Sequence, residues 1–112
     1  LVGDRARVQR ILSVLRGEGT AEILVLWVLA RELRMLAEAA GAIARRTTPA
    51  SVLAAHRIPR QRLETVERAL RRLSPARLHD LLQQCAQADL AIKGMAPGDP
   101  WHYLARIADQ LS

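Results

Sequence analysis

The sequence predicts an all-α fold, a compact bundle of five to six helices, and three observations carry that expectation. Hydrophobic residues make up 50% of the 112 and aromatics only 3%, with no Phe, so the core has to be built from Leu, Ala, Val and Ile, which suits packed helices. Helix-starting pairs recur along the chain: Thr48-Pro49, Ser74-Pro75 and Asp99-Pro100 each set a capping side chain before a proline. No segment alternates with period two for long enough to make a strand.

The first helix is expected after Asp4, which can cap it, with Val8, Ile11, Leu12 and Leu15 on one stripe and an end at Gly17. Thr20 can cap a longer second helix over residues 21–45. Its first half, "ILVLWVLA", is apolar all round, which a lone surface helix does not tolerate. That half is expected at the centre of the core or under a partner, with Trp27 as a core anchor. "TTP" opens a short third helix through Val52 and Leu53 that stops before Pro59. Pro59 is expected to open the fourth, with Leu63, Val66, Leu70 and Leu73 inward and Glu64, Arg68 and Arg72 outward. "SP" opens the fifth and "DP" the sixth, on which Trp101, Leu104, Ala108 and Leu111 share a stripe and Trp101 is the expected anchor. A chain of this size is expected to form one domain spanning residues 1–112. It begins with Leu1 rather than Met, and is expected to be an excised C-terminal piece of a longer protein.

The net charge of +6 favours an anionic or acidic partner, but it is spread along the chain and nearly all arginine. The longest apolar run, Ile23 to Ala30, is far below the ~20 residues that span a bilayer, so no membrane role is expected. Cys85 is the single cysteine; it can form no internal disulfide, falls on an apolar stripe with Leu78, Leu81 and Ile92, and reads as core filler. His56, His79 and His102 show no metal-ligand spacing, and there is no Gly-rich phosphate loop, no GxSxG and no HExxH. Neither catalytic residues nor a cofactor or metal are expected.

Two constellations remain. In "RQRLETVERALRR", Arg68, Arg71 and Arg72 could meet phosphates or a neighbouring subunit. Arg60 with Glu64, Glu64 with Arg68 and Glu67 with Arg71 stand at i,i+4, however, and no aromatic is interleaved to stack on bases, which favours a solvated face. In "ADLAIKG", Asp89 lies inside the apolar arc of its helix and Lys93, the only lysine in the chain, sits at its edge. A carboxylate there needs a partner. The pair reads as a partly buried ion pair, a carboxylate holding a neighbouring helix end, or an intersubunit polar contact; no further groups suggest catalysis.

The order "RVQRILSVLRGEGTAEILVLWVLARELRML", "ALRRLSPARLHDLLQQCAQADLAIKG", "DPWHYLARI" resembles the C-terminal domain of the delta subunits of bacterial DNA polymerase III clamp loaders, over nearly the whole chain. Asp89, Lys93, Gly94 and Trp101 in their spacing are its sharpest element. The resemblance implies a segment of the ring-shaped collar that joins delta, delta prime and the gamma or tau subunits in DNA replication. It implies no catalytic residue in this domain, a bacterial cytoplasmic setting, and contact with the sliding clamp and primer-template DNA only through the parent complex. The collar domain of another loader subunit, or a basic helical DNA-binding domain, are the alternatives.

Overall fold

A computed structural model describes residues 5–111, and within them there are six α-helices and no strand. The helices are α1 (Arg5–Gly17), α2 (Glu22–Ala44), α3 (Pro49–Ala55), α4 (Leu63–Arg72), α5 (Pro75–Ile92) and α6 (Pro100–Leu111). The cap expected of Asp4 lies outside the described residues.

Local chemistry accounts for most of the boundaries. α1 closes with the Thr20 N–H donating to the Leu15 carbonyl while Gly19 takes φ +77°, a left-handed conformation that glycine adopts without strain. Thr20 does not cap α2: the helix starts one residue later than that cap requires, and Ala21 holds the N-cap position with no side-chain bond. Glu22, in the first turn of α2, supplies the favourable negative charge there instead. Thr48 and Ser74 do cap, accepting from the N–H groups of Ser51 and Arg77. Pro59 does not open α4 directly. It is followed by a 3-10 turn, Arg60–Arg62, in which the Arg62 N–H donates to the Pro59 carbonyl at 2.8 Å, and the α-helix starts only at Leu63.

Hydrophobic packing gathers the helices on one continuous core. α2 is central and packs on α3, α4, α5 and α6, with Leu33 and Leu36 fully buried along it. Leu78 and Leu81 of α5 and Leu104, Ile107 and Leu111 of α6 complete the most buried group. Each such side chain contributes on the order of 1.5–3 kcal/mol by leaving water. On α4, Val66, Ala69 and Leu73 are buried, with Leu63 and Leu70 half-buried beside them.

α1 is placed differently from its position in the chain. It packs chiefly on α6, where Gln9 donates to the Ala105 carbonyl at 3.0 Å, and only sparsely on its neighbour α2. Val8 and Leu12 are buried, but Ile11, expected on the same stripe, is 49% exposed. The larger departure is on α2. Val25, Leu26, Leu29 and Ala30 are buried, whereas Leu24, Val28 and Trp27 face outward, Trp27 being 60% exposed rather than a core anchor. At 100° per residue a helix packed on the core along one side cannot bury positions 24, 27 and 28 together with 25, 26 and 29.

Candidate functional site

The sequence singled out residues on three helices, and the fold treats them unequally. Asp89 and Lys93 form an ion pair near the end of α5, Lys93 Nζ to Asp89 Oδ2 at 2.7 Å, with the Lys93 side chain 58% exposed and that of Asp89 34% exposed. A solvent-screened i,i+4 pair of this kind contributes about 0.3–0.5 kcal/mol. Asp89 also lines an open groove between α2 and α5, together with Trp27, Arg34, His79 and Leu82. Two residues far apart in sequence, Trp27 and Asp89, therefore stand on the same surface.

The three arginines of α4 do not form one phosphate-binding set. Arg68 pairs with Glu64 at 2.7 Å. Arg72 reaches across to the last turn of α6 and donates to the carbonyls of Gln110 and Leu111, where a cation meets the negative end of a helix. Arg71 remains exposed beside a shallow hollow lined by Leu70, Leu73 and Pro75. Of the three i,i+4 pairs read from the sequence around α4, only Glu64 with Arg68 forms; Arg60 is carried off the α4 register by the 3-10 turn.

Histidines and cysteine are dispersed. His56 lies 4.0 Å from Glu38, His79 pairs with Gln83, and His102 is exposed. No group of three His, Cys, Asp or Glu side chains suited to a metal ion occurs among the described residues. Cys85 is buried; burial pushes its thiol up, and the charge of Arg34 offsets this only in part, so at neutral pH it is a protonated core side chain.

What the bundle does present is apolar surface. α1 and α2 both rest on α6 yet splay apart, and between them lies a cleft of about 420 Å³ walled by Ile11 and Leu15 on one side and Leu24 and Val28 on the other. Its floor reaches Ala108 of α6. Val28, 67% exposed, stands at its edge, Val14 of α1 is 57% exposed, and Trp27 continues the apolar surface of α2 round to the α5 groove. The all-round hydrophobicity of "ILVLWVLA" was the signal for this face; the contributions of Ile11 and Val14 carry no separate signature in the sequence, because either reads equally well as core.

The match that assigns the chain is to a family model described as the processivity clamp loader gamma complex DNA pol III C-term, which covers residues 1–108. The chain belongs to the clamp-loader delta C-terminal domain family. No individually curated protein matches it. Family membership supports a clamp-loader role and points to an assembly domain in preference to a catalytic one. No helix among the described residues of this clamp-loader domain is long and apolar enough to cross a membrane.

One contact that the sequence reading missed ties the clamp-loader domain's end to its beginning. Asp99, before α6, accepts from the Trp101 N–H at 2.9 Å through one carboxylate oxygen and from Arg16 of α1 at 2.5 Å through the other. The Trp101 hydrogen bond is the main cause that holds the Asp99 carboxyl below its ordinary value; burial opposes it, and the hydrogen bond and charge of Arg16 and the charge of His102 add to the lowering. Since the folded-state value is lowered, the stabilisation is fully present above the unfolded value of about 3.9 and is lost as pH falls through the folded one. Asp99→Asn keeps an acceptor for Trp101 but loses the charge facing Arg16. Its melting temperature is expected to lie below wild type at pH 7, and the gap to close as the pH is taken down through 4 towards 2; a gap independent of pH would show that the carboxylate's charge contributes nothing.

Proposed function

We propose that this domain is the collar segment of a clamp-loader delta subunit and acts by holding subunits together, not by chemistry. The single domain of residues 1–112 would be the C-terminal part of that subunit. Its partners would be the collar domains of delta prime and gamma or tau, in the bacterial cytoplasm, with the sliding clamp and primer-template DNA reached only through the parent complex. The observation that carries the reading within the family is the apolar face of α1 and α2, where Leu24, Trp27 and Val28 stand in water on the helix at the centre of the bundle. Contiguous apolar exposure of this kind marks a protein interface. Engagement of Arg68 by Glu64 and of Arg72 by the end of α6 speaks against a dedicated DNA surface on α4.

The 112-residue chain should be retained by immobilised delta prime or gamma collar domains at physiological salt, and should bind primer-template DNA weakly, with affinity falling steeply as salt rises. Tight, salt-sensitive DNA binding with no retention by either collar domain would replace this reading with the DNA-binding alternative.

A further inference from the structure

Among the described residues, five of the six large hydrophobic side chains left exposed lie on two helices, Ile11 and Val14 on α1 and Leu24, Trp27 and Val28 on α2. Only Met95 lies elsewhere. Ile11, Leu24 and Val28 wall one cleft, so the two helices contribute to a single face. The charges on that face are ordered along it. Glu18 follows Ile11 and Val14 at i+7 and i+4, its N–H still bonded to the Val14 carbonyl at 2.9 Å, and so ends their stripe at the turn. Arg31 follows Leu24, Trp27 and Val28 on the outer side of α2, seven residues and about 10 Å beyond Leu24, and so stands at the far end. Both are exposed, and neither has an opposite charge within ion-pair distance among the described residues.

An apolar middle with an acid at one end and a base at the other is its own complement. A two-fold axis set across α2 between Trp27 and Val28 runs the helix antiparallel to the partner's α2, because such a contact puts residue i on j and j on i. Trp27 and Val28 then meet their own copies across the axis. Leu24 meets the stem of the partner's Arg31, and the guanidinium of that arginine is carried towards Glu18. The same exchange occurs at the other end, so each of these charges finds an opposite one. A small apolar molecule seated in the cleft would leave Trp27, Glu18 and Arg31 as they are, since none of them lines it. We propose that this face pairs with a second copy of the chain, antiparallel through α2, with Glu18 and Arg31 fixing the register. The pairing goes beyond the assembly reading and does not rest on it. It uses the face which that reading gives to collar partners, so pairing and collar assembly exclude each other.

Sedimentation of the 112-residue chain tests this at physiological salt, which screens the mutual repulsion of two bodies of net charge +6. Monomer should give way to dimer between about 1 and 100 μM, the affinity range of a contact below standard size. The emission of Trp27 should move to the blue over the same range, because the other tryptophan, Trp101, is already buried. Val28→Glu, at the axis, should leave a monomer. Glu18→Arg alone and Arg31→Glu alone each set like charges together, and each should weaken pairing about ten-fold. An equimolar mixture of those two variants puts an arginine against a glutamate at both ends and should dimerise as wild type does. Rescue by mixing cannot come from chains that have failed to fold. A wild type monomeric throughout, an assembly larger than two, or a Val28→Glu chain that still dimerises would each overturn the pairing. So would single-charge variants that pair as wild type does, or a mixture no tighter than its components. A monomeric wild type whose Trp27 emission shifts only on adding a delta prime or gamma collar domain would give the face to a different chain, overturning the pairing and leaving the assembly reading standing.

Discussion

Trp101→Ala is expected to destabilise the domain by about 3–5 kcal/mol, which for a chain of this size lowers the melting temperature on the order of 15 °C. Trp101 is 8% exposed in the first turn of α6, the helix that packs on α1, α2 and α5 at once. Removing the indole therefore opens a void in the core at the start of that helix, where the Trp101 N–H stays bonded to Asp99. Thermal unfolding followed by circular dichroism checks this; a melting temperature within a few degrees of wild type would mean that α6 is anchored by other contacts.

Leu33→Ala is expected to cost about 2–5 kcal/mol, and Trp27→Ala, six residues earlier on the same helix, no more than about 0.5 kcal/mol. The comparison inverts the usual weight of the two side chains. Leu33 is completely buried in the middle of α2, so its loss leaves a cavity inside the core. Trp27 has most of its surface in water, and truncating it removes area that was never taken out of solvent on folding. Denaturant titration of both variants gives the two numbers directly. A Trp27→Ala chain as unstable as Leu33→Ala would show that the indole is structural, and would also weaken the case for an interface on this face.

The ease with which the elements could be read follows the kind of signal each carries. Helices α3, α5 and α6 were legible because proline and its capping residue act locally, and Thr48, Ser74 and Asp99 bond to N–H groups within three residues of themselves. The start of α4 was less so: Pro59 fixes its own φ but leaves open whether a 3-10 or an α turn follows. Thr20 misled for a related reason. It is a good cap by type, but the turn that closes α1 runs through it and the N-cap position falls on Ala21. For the site, the Asp89–Lys93 pair followed from helical spacing alone, while its exposure depended on where α2 lies against α5. Arg16 with Asp99 and Arg72 with the end of α6 join residues distant in sequence, and no periodicity reports them. The sidedness of "ILVLWVLA" is the clearest limit. When every residue is apolar, hydrophobicity says that the helix is covered, and only the packing says by what.

The docking of α1 on α6 sets an order of events during synthesis. Of these six helices a ribosome delivers α1 first, yet the helix it packs on is the last of them to emerge. The contact between Gln9 and Ala105 closes a loop that contains nearly all the rest of the domain, and such a loop is the most costly in chain entropy that this topology asks for. α2 through α5 can settle around their own leucines before α6 is made, because α2 packs on α3, α4 and α5. α1, although made earliest, has to wait, joined to α2 by a short turn, with its buried stripe of Val8 and Leu12 uncovered until Pro100–Leu111 is in place. Of the six helices, the one made first is therefore the one left longest open to wrong partners.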